Sequence, residues 1–184
     1  MTVHKMDSVE TSFLVDGLAC FIDLSKDLPL NLFFGKDYVF WFFERPLLCF
    51  DDIFCGLISE SISSYGADVL IKFSGGNTLA DSCFSVKGND AGRDARWISK
   101  NFENFFDGKV GYPIILFNRT FDWIAFESAY EEFGVIAVKK SDFHSDFGDY
   151  LKSSFISIEG LAEMASGSSI DGLTAKALIS SYHG

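Results

Sequence analysis

Phenylalanine constrains this chain more than any other feature: 21 of its 184 residues are Phe, set among 26 acidic and 15 basic side chains for a formal charge of −11. Each Phe brings roughly 150–250 Å² of surface that has to leave water, so the sequence demands a substantial core. The net charge repels acidic molecules and attracts basic ones. A chain of this length removes about 70% of its unfolded surface from water as a single domain. With 48% hydrophobic residues and only 3 prolines it has the composition of neither a disordered nor a linker-rich protein. One globular domain over residues 1–184 is expected.

Asp7, Glu10 and Asp16 interrupt the start of the chain, which therefore lacks the apolar run of a secretory signal. The most apolar stretch, Leu28 to Phe50, is divided by Lys36, Asp37, Glu44 and Arg45 into pieces far shorter than the ~20 residues a bilayer requires. A cytoplasmic protein without membrane contact is the expectation. Cys20, Cys49, Cys55 and Cys83 contain no C-x-x-C pair and match no zinc pattern. They read as reduced, mostly buried thiols, and neither a metal nor a cofactor is expected.

Along the chain, Phe13-Leu-Val and Leu18 to Ile22 flank Asp16-Gly17 and suggest a hairpin, and Leu30 to Phe34 and Tyr38 to Phe43 flank Gly35-Lys36-Asp37 in the same way. From Asp51 to Ser64 the apolar period becomes helical, with Phe54, Leu57, Ile58, Ser61, Ile62 and Tyr65 on one face and Gly66 placed to end the helix. Ala67 to Phe73 reads as a strand, and a glycine-rich, loop-dominated region follows to Gly92. Residues 93–107 form a helix with Ala95, Ile98, Phe102, Phe105 and Phe106 inward and Asp107-Gly108 ending it; Trp97 projects from its polar side, either covered by the preceding loop or offered to a partner. Tyr112 to Phe117, Asp122 to Phe126 and Phe133 to Val138 have connections short enough only for an antiparallel meander. Helices are expected over Asp142 to Lys152, with Phe143, Phe147, Tyr150 and Leu151 inward, and over Ile158 to Ala165 and Ile170 to Ser181. The fold class is α+β, a single domain with a mainly antiparallel sheet packed against helices. Phe102, Phe105, Ile114, Ile115, Ile124, Phe126, Val135 and Ile136 are expected to share one core.

Catalytic patterns are weak. Ser74-Gly-Gly-Asn-Thr78 lacks the lysine of a phosphate-binding loop. Asp142, His144 and Asp146 point to different sides of a helix, and His4 and His183 sit at the termini. No Ser lies in G-x-S-x-G, and the adjacent carboxylates Asp51-Asp52 and Glu131-Glu132 point apart. The last thirty residues suggest a helix-turn-helix by pattern, but Lys176 is the only base between Ile170 and Tyr182, too little to neutralise phosphates. Nucleic acid is not the expected partner.

The charge is uneven: residues 1–72 carry −6, 73–120 carry +1 and 121–184 carry −6. Acidic flanks either keep a very aromatic protein soluble or present a surface that fits a basic groove. Within the second flank, Asp122-Trp-Ile-Ala-Phe-Glu127 followed by Tyr130-Glu-Glu-Phe-Gly-Val-Ile-Ala-Val138 resembles the C-terminal hairpin of several small acidic immunity proteins of bacterial toxin systems, including those of contact-dependent growth inhibition. The resemblance spans Pro113 to Lys139 and implies a cytoplasmic antitoxin that binds one cognate toxin domain and blocks it. The leading expectation is therefore an inhibitory binding protein, not an enzyme, whose partner is a basic toxin domain such as a nuclease. The alternatives are a small cytosolic enzyme with a site near residues 74–92 and a structural or adaptor domain. The interface is placed on Asp122, Glu127, Tyr130, Glu131 and Glu132 together with Asp142, Asp146 and Asp149, with Trp97 as the other exposed aromatic anchor.

Overall fold

Short apolar runs without alternation mark strands covered on both faces, and the middle of this chain is built of them. The computed structural model describes residues 3–105 and 111–183. Among these residues seven strands, β1 (His4–Lys5), β2 (Tyr38–Glu44), β3 (Val69–Lys72), β4 (Cys83–Val86), β5 (Ile114–Asn118), β6 (Trp123–Glu127) and β7 (Phe133–Lys139), form one sheet in the order β1-β4-β3-β5-β6-β7-β2. Every pairing is antiparallel. The helices are α1 (Ser8–Leu18), α2 (Asp51–Tyr65), α3 (Ala91–Asn101), α4 (Ser145–Ser154), α5 (Ile158–Ala165) and α6 (Ile170–Tyr182). No helix among the described residues is long and apolar enough to cross a membrane.

Strand alternation divides the core in two. Trp123 and Ala125 of β6 face a layer made by α2, α3 and α4, which contribute Phe54, Leu57, Ile98, Phe147 and Leu151. Ile124 and Phe126 face the opposite way, onto α1, α5, α6 and the segment after α1, which contribute Leu18, Leu32, Leu161 and Leu178. The expected single core is thus corrected: Phe102, Ile114 and Ile136 lie on the first face with Phe105 against them, and Ile115, Ile124, Phe126 and Val135 lie on the second. The reason is the period of two in a strand, which sends neighbours such as Ile114 and Ile115 to opposite sides.

The meander, α2, α5 and α6 stand where the sequence reading places them, and Gly66 ends α2 at φ +63°, a conformation glycine adopts without steric cost. The first predicted hairpin is replaced by α1. Asp7 accepts hydrogen bonds from Val9 N–H and Glu10 N–H at 2.9 Å, and Glu10 accepts from Asp7 N–H at 3.2 Å, a capping box that starts a helix where apolar runs suggested strands. The second hairpin is also absent. Residues 30–34 supply only an isolated bridge from Phe33 to Ile22, while β2 pairs along its whole length with β7. Gly134 is what lets them approach, because a Cβ there would overlap the ring of Phe43, its cross-strand neighbour.

The region read as loop contains β4, whose residues are buried, and α3 begins at Ala91 and gives way at Phe102 to a 3-10 turn. Phe106, Asp107 and Gly108 lie outside the described residues. Helix α4 starts at Ser145, later than expected, and Phe143 before it is partly exposed, stacked on Trp41 at 6.0 Å. All four cysteines are free; Cys55 and Cys83 are buried, whereas Cys20 and Cys49 are exposed.

Candidate functional site

The β6–β7 connection, residues 128–132, is held from both sides. Ser128 Oγ accepts from Tyr130 N–H at 3.0 Å and Glu131 N–H at 2.8 Å, and donates to Asp27 Oδ1 at 2.5 Å. Asp27 Oδ2 accepts from Ala129 N–H at 3.1 Å. From the other side Arg45 donates to the carbonyl of Ser128 at 2.9 Å and, through Nε and Nη2, to both oxygens of Glu132 at 3.3 and 3.1 Å, while its guanidinium lies 4.9 Å from the centre of the Tyr112 ring. Hydrogen bonding to Arg45 holds the Glu132 carboxyl below its ordinary value. A loop whose backbone is tied in this way has little ordering entropy left to lose on binding. It presents Tyr130 to solvent, 83% exposed.

The start of α6 adjoins this loop, since Thr174 Oγ1 donates to Glu131 Oε2 at 3.2 Å and Asp171 shares a cleft of about 220 Å³ with Glu44, Arg45 and Glu132. Ile170 and Leu173, on the exposed side of that helix, are 81% and 60% exposed. The result is an aromatic and aliphatic surface rimmed by Glu131, Glu132, Asp171 and Glu44. Apolar anchors inside a charged rim are the usual anatomy of a protein–protein contact.

Glu127 does not belong to this surface, contrary to the sequence reading. It shares the strand face of Trp123 and is fully buried, with Oε2 accepting from Leu47 N–H at 3.1 Å and with Tyr112 and Arg45 alongside. Burial raises its pKa to about 7, against the lowering effects of the Leu47 N–H, Tyr112 and Arg45. Because the folded value exceeds the unfolded one, its contribution to stability is complete below about pH 4.5 and is lost as pH rises through about 7. Unfolding free energy should therefore fall across that window by on the order of 3 kcal/mol relative to Glu127→Gln. Parallel urea titrations of both proteins from pH 4 to pH 8 check this; equal slopes with pH would show that Glu127 titrates normally.

The remaining predicted residues lie elsewhere. Asp122 sits at the far end of the meander, where its carbonyl accepts from Lys139 N–H at 2.9 Å and its side chain ties Asn118 and Thr120 into the β5–β6 turn. Asp142, Asp146 and Asp149 are exposed around the start of α4, beyond the same end of β7. β7 separates them from Tyr130 by about 20 Å. Trp97 is half-buried, with the ring of Phe105, which follows α3, at 5.9 Å. It lines a cleft of about 650 Å³ between α2 and α3, whose Arg93 and Arg96 are ion-paired to Asp90 at 2.9 Å and to Asp51 at 3.4 Å.

Sequence reasoning missed Asp27, Arg45, Ile170 and Leu173. In the glycine-rich region, a Cβ on Gly75 would press on Pro113, and β4 is buried in the sheet. Among the described residues no three His, Cys, Asp or Glu side chains converge as metal ligands. Comparison with protein-family models, with curated proteins and with solved structures found no match.

Proposed function

We propose that this chain is an inhibitory binding protein of the immunity type, which blocks a basic toxin domain by direct contact through the 128–132 loop and the first turns of α6. The observation that carries the reading is Tyr130: a large aromatic side chain held out in solvent on a loop whose backbone is fixed by Asp27, Ser128 and Arg45. A flexible solubilising turn needs no such anchoring. The carboxylates around it steer a basic partner, and the aromatic and aliphatic side chains supply the short-range contacts that slow its release.

Co-expression tests the proposal. The C-terminal domain encoded by the adjacent upstream reading frame is produced in a naive host with and without this protein. Restored growth together with an equimolar complex on gel filtration supports the reading. Growth arrest that the protein does not relieve, or a complex that Tyr130→Ala and Glu131→Lys leave at wild-type affinity, counts against it.

A further inference from the structure

The edge strand β2 carries a second, separate surface. Its ladder to β7 decides which backbone groups face outward: Lys140 N–H donates to the Asp37 carbonyl at 2.9 Å and Arg45 N–H to the Glu132 carbonyl at 3.1 Å. Odd-numbered residues of β2 therefore bond to β7, and the N–H and C=O of even-numbered ones point to the open edge. Phe42 uses its outward pair, exchanging two 2.8 Å hydrogen bonds with Ile156. That addition ends at once, because Ser157 caps α5 and the chain turns away. Phe40, the next outward residue, has no backbone partner at this edge among the described residues. Beside it runs a groove of about 410 Å³, with Lys152 of α4 on one side, Ile158 and Tyr182 on the other and Lys140 at the end.

We propose that this groove binds an extended acidic segment of a partner protein, which pairs with Tyr38–Trp41 as an added strand and seats its carboxylates on Lys140 and Lys152. Main-chain hydrogen bonds would supply the affinity and alternate side chains the selectivity. One face of the incoming strand meets Phe40 and Tyr182, whose rings lie 5.0 Å apart, and the other meets Trp41. The charge argument decides the sign. In a protein of net charge −11, Lys140 has no ion-pair partner among the described residues and Lys152 has only the exposed Asp149 at 3.3 Å. Among the described residues Glu159 is the one carboxylate lining the groove. A second copy of this chain is the poorer occupant, since edge-to-edge pairing would bring the lysines of both copies together.

The probe is an acetylated and amidated hexapeptide of alternating valine and glutamate, with its valine–lysine counterpart as control, titrated into the isotope-labelled protein and followed by NMR. The glutamate peptide is expected to bind about tenfold or more tightly than the lysine peptide and to slow hydrogen exchange at the Phe40 amide. Phe40→Pro removes the outward N–H without touching the β7 ladder and should weaken binding more than Phe40→Ala. Lys140→Glu combined with Lys152→Glu, which alters only surface charge, should reverse the preference toward the lysine peptide. Absence of binding, or equal binding of the two peptides, overturns the proposal and leaves the lysines as guards against edge pairing. Binding that perturbs residues 128–132 and leaves the Phe40 amide exchanging freely overturns it as well.

Discussion

Truncating Phe102 to alanine should lower the unfolding free energy by about 3–5 kcal/mol, truncating Phe126 should cost a similar amount, and the double variant should lose nearly the sum. Both rings are almost inaccessible, 3% and 1% exposed, yet they belong to clusters on opposite faces of the sheet. Phe102 packs with the α2–α3–α4 layer, and Phe126 with α1, α5 and α6. With the sheet backbone between the two clusters, each truncation leaves a void that the other cannot relax. Additivity within about 0.5 kcal/mol in urea denaturation is the expected result. A coupling above ~1 kcal/mol would mean that the faces respond as one packing unit. If the double alanine variant exhausts the ~5–15 kcal/mol typical of a domain, the same cycle with leucine at both positions retains the test.

What the sequence reveals here follows from how local each signal is. The meander is legible because β5, β6 and β7 are uninterrupted apolar runs joined by turns too short for any other pairing. α5 and α6 fall on the two segments read as helical, and Ser157 and Ser169 cap them by accepting from Gly160 N–H and Gly172 N–H. The β2–β7 pair is not, since Tyr38 meets Lys139 across most of the chain and nothing local to Tyr38 names that partner. The false hairpins arise from the same limit: an apolar run beside a glycine invites a nearby partner when the true one is distant. Two errors had local remedies. Asp7-x-x-Glu10 is a helix-start signal that outweighs the apolar run after it. Glu127 closes an apolar run without alternation, the mark of a strand covered on both faces, so its burial follows from membership of β6 whichever face it takes. For the β6–β7 loop, the acidic turn and Tyr130 are visible in sequence, whereas its anchoring depends on Asp27 and Arg45, which come from far upstream.

Because the loop is already ordered, Tyr130→Ala should act almost wholly on binding. Tyr130 is 83% exposed, so its removal should scarcely change unfolding stability. If it is the central anchor, affinity for the purified basic partner should fall by about 2–4 kcal/mol, roughly 30- to 1,000-fold, chiefly through faster dissociation. Glu131→Lys should show the opposite signature: slower association with a weaker dependence on salt, and nearly unchanged dissociation. Glu132 is the less clean probe of charge, because a lysine there would face Arg45 and disturb the loop itself. Asp27→Ala separates contact from preorganisation. It frees the Ser128 hydroxyl and the Ala129 N–H without altering the loop's outward side chains, so it should weaken binding while Tyr130 remains in place. Surface plasmon resonance across a salt series distinguishes these outcomes. Wild-type rates in both the Tyr130 and Glu131 variants would assign the acidic rim to solubility alone, and any binding face would then have to be sought at the α2–α3 cleft beside Trp97.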